Sequence, residues 1–127
     1  MTNARRLALC VALSVAALSH TIGAHHGGAA FDQSRTVTVS GTVTELQFGN
    51  PHVILAFDVT NDQGATAHWS GWLTAPTKLT RAGWTKRTLK PGDTVSVTGQ
   101  PHKEGVPVIQ IRSLKGPDGQ PLPTFEQ

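Results

Sequence analysis

Beyond its first 35 residues this chain repeats its apolar side chains with a period of two, and that period decides what it can fold into. Val53, Leu55, Phe57 and Val59 alternate with other residues along one stretch. Alternate residues share a face in an extended strand, whereas a helix needs a spacing of three to four. Glycine- and proline-rich turns then cut the chain into short strands.

Thr36–Phe48 reads as a first strand rich in Val and Thr, with Val37, Val39, Val43 and Leu46 inward. Its phase slips near Gly41, which predicts a bulge or sharp bend there. Gly49-Asn50-Pro51 is a turn, His52–Val59 a second strand, and Asn61-Asp62-Gln63-Gly64 a hairpin loop. Ala65–Leu73 is a third strand carrying His68, Trp69 and Trp72. Ala75-Pro76-Thr77 opens a short helix over Thr77–Ala82 that ends at Gly83. After the turn Leu89-Lys90-Pro91-Gly92-Asp93 come strands at Thr94–Gly99 and Pro107–Leu114. Gly116-Pro117-Asp118-Gly119 then turns into a Pro-containing tail. Three strands, a helix and two strands, with the first strand bent, is the order of an OB-fold. The expected class is therefore all-β with one short helix, a small five-stranded OB-fold-like barrel. An open β-sandwich or another small barrel is the alternative. Val43, Val53, Leu55, Phe57, Trp69, Leu79, Val95, Val97 and Ile109 are the expected core.

The opening residues have the layout of an export signal. Arg5-Arg6 precede an apolar run from Leu7 to Leu18, and Thr21-Ile22-Gly23-Ala24 offers a small residue before a cut. The run is shorter than the roughly 20 residues of a membrane span. The arginine pair permits twin-arginine export, but its ordinary flanks favour the general secretory route. Cys10 starts the apolar run rather than ending it, which argues against a lipoprotein. The expected organisation is residues 1–24 as signal and 25–127 as one exported, periplasmic domain with no stable membrane anchor after cleavage.

Cleavage changes the charge and redox arguments. Losing Arg5 and Arg6 from eleven Lys/Arg leaves nine against eight Asp/Glu. That balance makes no case for nucleic acid as a partner. The runs Lys78–Arg81 and Lys86–Lys90 read as a solvated basic face. The single cysteine would leave with the signal, so no disulfide could support this small exported domain.

A set of short motifs resembles a domain-of-unknown-function family of small exported bacterial proteins with an OB-like barrel. They are His25-His26, Phe31-Asp32, Gly41-Thr42-Val43-Thr44-Glu45 and Asn50-Pro51-His52. Trp69, Leu79-Thr80-Arg81-Ala82-Gly83-Trp84 and Leu89-Lys90-Pro91-Gly92-Asp93-Thr94-Val95 follow in order. The resemblance extends over essentially all of the expected mature chain and implies fold and export, with no activity to carry over. Two positions depart from the family's pattern: Phe48 stands where Trp is usual, and Trp72 where Glu is usual.

The histidines are the candidate chemistry. Cleavage after Ala24 would give His25 a free α-amine beside His26, a compact nitrogen set for copper(II) first and zinc second. His52 follows a proline-stiffened turn and alternates opposite Val53, Leu55 and Phe57, so it is the third candidate ligand. The competing reading is an unstructured N-terminus and a His52 that caps backbone groups. His68 faces away from its neighbour Trp69, and His102 lies in the loop before the fifth strand, where solvation is expected. Trp69 and Trp84 read as core. Trp72 differs from Trp69 by an odd number of residues, so it faces the other side.

Enzyme signatures are missing. There is no Gly-x-Ser-x-Gly elbow, no His-Glu-x-x-His and no phosphate loop. The function expected from the sequence is a non-catalytic binding or accessory module with a metal site at His25, His26 and His52. The alternatives are a structural protein that meets an envelope protein, and an oligosaccharide binder using Trp72.

Overall fold

A computed structural model describes residues 28–125. Six strands, one helix and one 3-10 turn follow in order: the turn at Gly28–Ala30, then β1 (Val37–Gln47), β2 (Ile54–Thr60) and β3 (Thr66–Trp72). Helix α1 (Pro76–Arg81), β4 (Thr94–Pro101), β5 (Val108–Lys115) and β6 (Pro121–Leu122) complete the described residues. The sheet order is β3-β2-β1-β4-β5-β6, and β3 also pairs with β5. That extra pairing closes the first five strands into a barrel, with β6 added outside the closure. The five-stranded all-β barrel with one short helix is the fold expected from the sequence.

Closure depends on β1, which serves two neighbours in turn. Val37 to Thr42 pair antiparallel with β4, and Thr42 to Gln47 pair antiparallel with β2. Gly41 sits just before the handover. A Cβ there would collide with the Asp58 backbone oxygen and press on the Phe57 ring, so only glycine lets β1 and β2 come this close. The bulge itself lies between Val43 and Glu45, slightly later than the slip near Gly41 that the alternation predicts. A second bulge, at Thr98/Gly99, bends β4 against β5. The closing β3–β5 ladder is short and parallel, running from Ser70↔Val108 to Trp72↔Gln110.

Inside, Val43, Leu55, Phe57, Val95, Val97, Ile109, Ile111 and Leu114 are buried. Trp69 stacks on Phe57 with ring centroids 6.3 Å apart, but it is half-buried rather than fully enclosed.

One barrel end is capped by α1 and the loop after it. Leu79, Trp84 and Leu89 are buried there. The helix stops in a Schellman arrangement: Trp84 N–H donates to Leu79 O at 3.0 Å and Gly83 N–H to Thr80 O at 3.0 Å. Gly83 takes φ +95°, the left-handed conformation that this stop requires. Trp84 Nε1–H donates to Pro123 O at 2.9 Å, tying the C-terminal segment to the cap. That segment, expected as a tail, instead pairs through β6 with Leu114 and Lys115.

Replacing Phe57 by Ala should cost about 3–5 kcal/mol of stability, from lost burial plus a cavity. Gly41→Ala should cost about 1–3 kcal/mol by forcing β1 off β2. Gly49→Ala has open space around it and should change stability by under about 0.5 kcal/mol. Urea unfolding of the three variants checks the ranking.

Candidate functional site

Opposite Leu55 and Phe57 in parity, the outer face of the β2–β3 hairpin carries Ile54 paired with Trp72. The ladder continues one step past both strands, since Leu73 N–H donates to Val53 O at 2.9 Å and Val53 N–H to Thr74 O at 3.1 Å. This extension carries His52 to the outer corner beside Trp72, their ring centroids 5.6 Å apart. The preceding Asn50–Pro51 peptide is cis.

His52 Nδ1 lies 3.0 Å from Leu73 O. A carbonyl oxygen only accepts, so Nδ1 carries the hydrogen. The neutral ring then holds its lone pair on Nε2. A histidine oriented by an Nδ1–H bond to a backbone carbonyl has the arrangement that metal-binding histidines use. His52 is half-buried.

A second element covers the same corner. Phe31 bridges to His102, Asp32 N–H donates to Pro101 O at 2.9 Å, and Lys103 N–H donates to Ala30 O at 3.0 Å. These bonds lay residues 30–32 against the β4–β5 connection. Phe31 is only 1% exposed although it stands outside the barrel core. Its ring meets Trp72 edge-on at 5.7 Å and His102 at 5.8 Å. Such T-shaped contacts suit the charge distribution of aromatic rings. Trp72 is therefore half-buried under Phe31 and His52 rather than an open platform. Its outward direction agrees with the odd spacing from Trp69.

Beside the rings runs a polar network. Arg112 Nε donates to Gln100 Oε1 at 2.6 Å, and its Nη2 to Gln33 Oε1 at 3.2 Å and Gln110 Oε1 at 3.3 Å. Gln33 Nε2 donates to Gln110 Oε1 and to Gly28 O, each at 3.2 Å. Gln110 is buried, and these bonds satisfy its oxygen where water is excluded. Alternation along β5 shows that Gln110 and Arg112 point outward. That residues 28–33 would cover them had no signal in the sequence, because the contact joins positions far apart in the chain.

The remaining histidines lie elsewhere or are differently engaged. His68 has a side chain 85% exposed and places Nδ1 2.5 Å from Asp58 Oδ1 across the hairpin. His102, expected to be solvated, is half-buried, and its Nδ1 accepts from Glu104 N–H at 3.2 Å. His25 and His26 lie outside the described residues, as does the proposed signal. Among the described residues, no group of three or more His, Cys, Asp or Glu could hold a metal ion. His52 alone is not a metal site.

A family model described as a family of unknown function, DUF6152, matches residues 11–108. The chain belongs to this family. No curated protein matches it. The DUF6152 match includes Phe31, the Asn50-Pro51-His52 turn, Trp72 and His102, so every ring of the outer corner lies within it. It stops at the first residue of β5, short of Gln110 and Arg112, whereas the motif resemblance ran through the whole expected mature chain.

Asp32 starts the turn that leads away from Phe31. Its Oδ1 accepts from Ser34 Oγ at 2.6 Å and from Ser34 N–H at 3.0 Å. These bonds hold its carboxyl below the usual aspartate range, the side-chain bond most, with Arg35 and Lys103 helping. A carboxyl lowered by folding stabilises the fold above its ordinary titration range and loses that effect as pH falls through the folded value. Strong acidification, through the lowered folded value, should therefore loosen residues 31–35. The protection factor of the Ser34 amide, measured against the intrinsic rate at each pH, should fall in acid, and Asp32→Ala should show low protection already at neutral pH.

Proposed function

We propose that this protein is an exported, non-catalytic binding module that takes up a transition metal, copper(II) before zinc, at its outer aromatic corner. The ligands are His52 with His25 and His26, the α-amine of His25 being freed by cleavage after Ala24. One observation carries the reading: His52 is fixed by Nδ1–H to Leu73 O, which leaves Nε2 for a ligand. Phe31, six residues from His25, packs on the same Trp72 ring that His52 touches. The path from the corner to the proposed terminus is therefore short. The lack of a three-residue ligand set among residues 28–125 means that the metal needs the N-terminal histidines.

Competition against a chelating dye measures copper affinity in three forms: the chain starting at His25, the same chain with one added N-terminal residue, and His52→Ala. The added residue and the substitution should each weaken binding at least about tenfold, the loss of one oriented ligand or its support. Equal affinity in all three would remove the site and leave the reading of a structural module that meets an envelope protein. Intact-mass measurement on periplasmic protein tests the cleavage itself, which should remove residues 1–24.

A further inference from the structure

No Asp or Glu occurs between Asp62 and Asp93, while Lys78, Arg81, Lys86, Arg87 and Lys90 fall inside that stretch. These five are most of the cations that the expected mature chain holds. The fold turns the cluster into a surface. Leu79, Trp84 and Leu89 are buried and pin the stretch across one end of the barrel, while all five basic side chains are exposed. The loop between them is ordered by its own bonds. Thr85 N–H donates to Thr88 Oγ1 at 2.8 Å, Arg87 N–H to Thr85 Oγ1 at 3.1 Å, and Lys90 N–H to Asp93 Oδ2 at 2.9 Å. Asp93, the nearest acid in sequence, is thus engaged with backbone. Among the described residues none of the five cations is in an ion pair.

The chemistry of the patch narrows its partner. Nucleic acid would need exposed aromatics on which bases stack, and the patch's one aromatic, Trp84, is buried. A specific protein interface would need an apolar centre. The large hydrophobics that stand exposed among the described residues, Val106 and Phe125, lie outside this stretch. What remains is a set of separate exposed cations on an ordered backbone, with nothing to insert. Among the described residues no helix is long and apolar enough to cross a membrane.

We infer that this barrel end docks peripherally on a membrane surface rich in anionic phospholipid, through Lys78, Arg81, Lys86, Arg87 and Lys90. Each cation near such a surface strengthens binding by about fivefold at moderate salt, and the attraction fades with added salt because it is screened. The docking requires neither a metal nor any other ligand at the histidine corner.

Vesicle co-sedimentation tests this with phosphatidylglycerol/phosphatidylcholine vesicles against phosphatidylcholine alone. The wild-type chain should prefer the anionic vesicles by about 100-fold or more at low salt and lose that preference near about 0.5 M salt. Lys78→Gln/Lys86→Gln/Arg87→Gln should cut the preference by about 100-fold. Arg35→Gln/Lys103→Gln/Lys115→Gln removes equal charge from other exposed positions and should leave it within a few-fold. Unchanged circular dichroism verifies that both variants are folded. Equal losses in the two variants, a preference that survives high salt, or tighter binding to a single-stranded oligonucleotide than to anionic vesicles would each overturn the proposal.

Discussion

A barrel closed by only five strands is tightly curved, so its strands must bend sharply to meet. β1 absorbs most of that bend. It pairs with β4 along one half and with β2 along the other, and the turnover is possible because Gly41 has no side chain to strike Asp58. Everything downstream inherits this geometry. The register of β2 on β1 fixes that of β3 on β2, and β3 then reaches β5 over only three residue pairs. With so few closing bonds, the buried residues from both sides of the seam hold it: Phe57 and Leu55 on one, Ile109 and Ile111 on the other. Non-directional apolar burial supplies the stabilisation, and the glycines supply permission for close approach.

The outer corner is a consequence of the same register. Trp72 is the last residue of β3 and points away from the core, where a lone indole would be largely wetted. Phe31 and His52 arrive from separate segments to cover it, and His102, from a third, packs against Phe31. None of the three is adjacent to another in sequence. The Gln33–Gln110–Arg112–Gln100 network seals the flank with amide oxygens. A histidine held in one tautomer against this packed surface loses little freedom on binding a ligand. That pre-organisation distinguishes His52 from the exposed His68 and from His102, whose Nδ1 is already occupied by a backbone N–H.

Charge is distributed with equal economy. The acids lie outside the α1 cap, and the bases concentrate on it. Leu79, Trp84 and Leu89 are buried and anchor the stretch that carries the bases. The cap and the aromatic corner are built from different segments, so changes to one need not disturb the other.

Period-two alternation, with Gly and Pro between the runs, was sufficient to read the five barrel strands, the helix after β3 and the barrel class, because inward and outward faces are a local property of an extended chain. The bend near Gly41 was legible for the same reason, although the bulge settled at Val43/Glu45, just past the handover at Thr42, where Thr44 falls outside the β1–β2 register. His52 could be recognised as outward and turn-mounted. What it touches could not: its bond to Leu73 and its contact with Trp72 depend on how far the β2–β3 ladder runs past its ends. The half-burial of Trp72 and His102, the enclosure of Phe31 and Gln110, and the pairing of β6 all join residues distant in the chain. Those contacts have no local periodicity, and only the closed tertiary structure, which brings the segments to one surface, decided them.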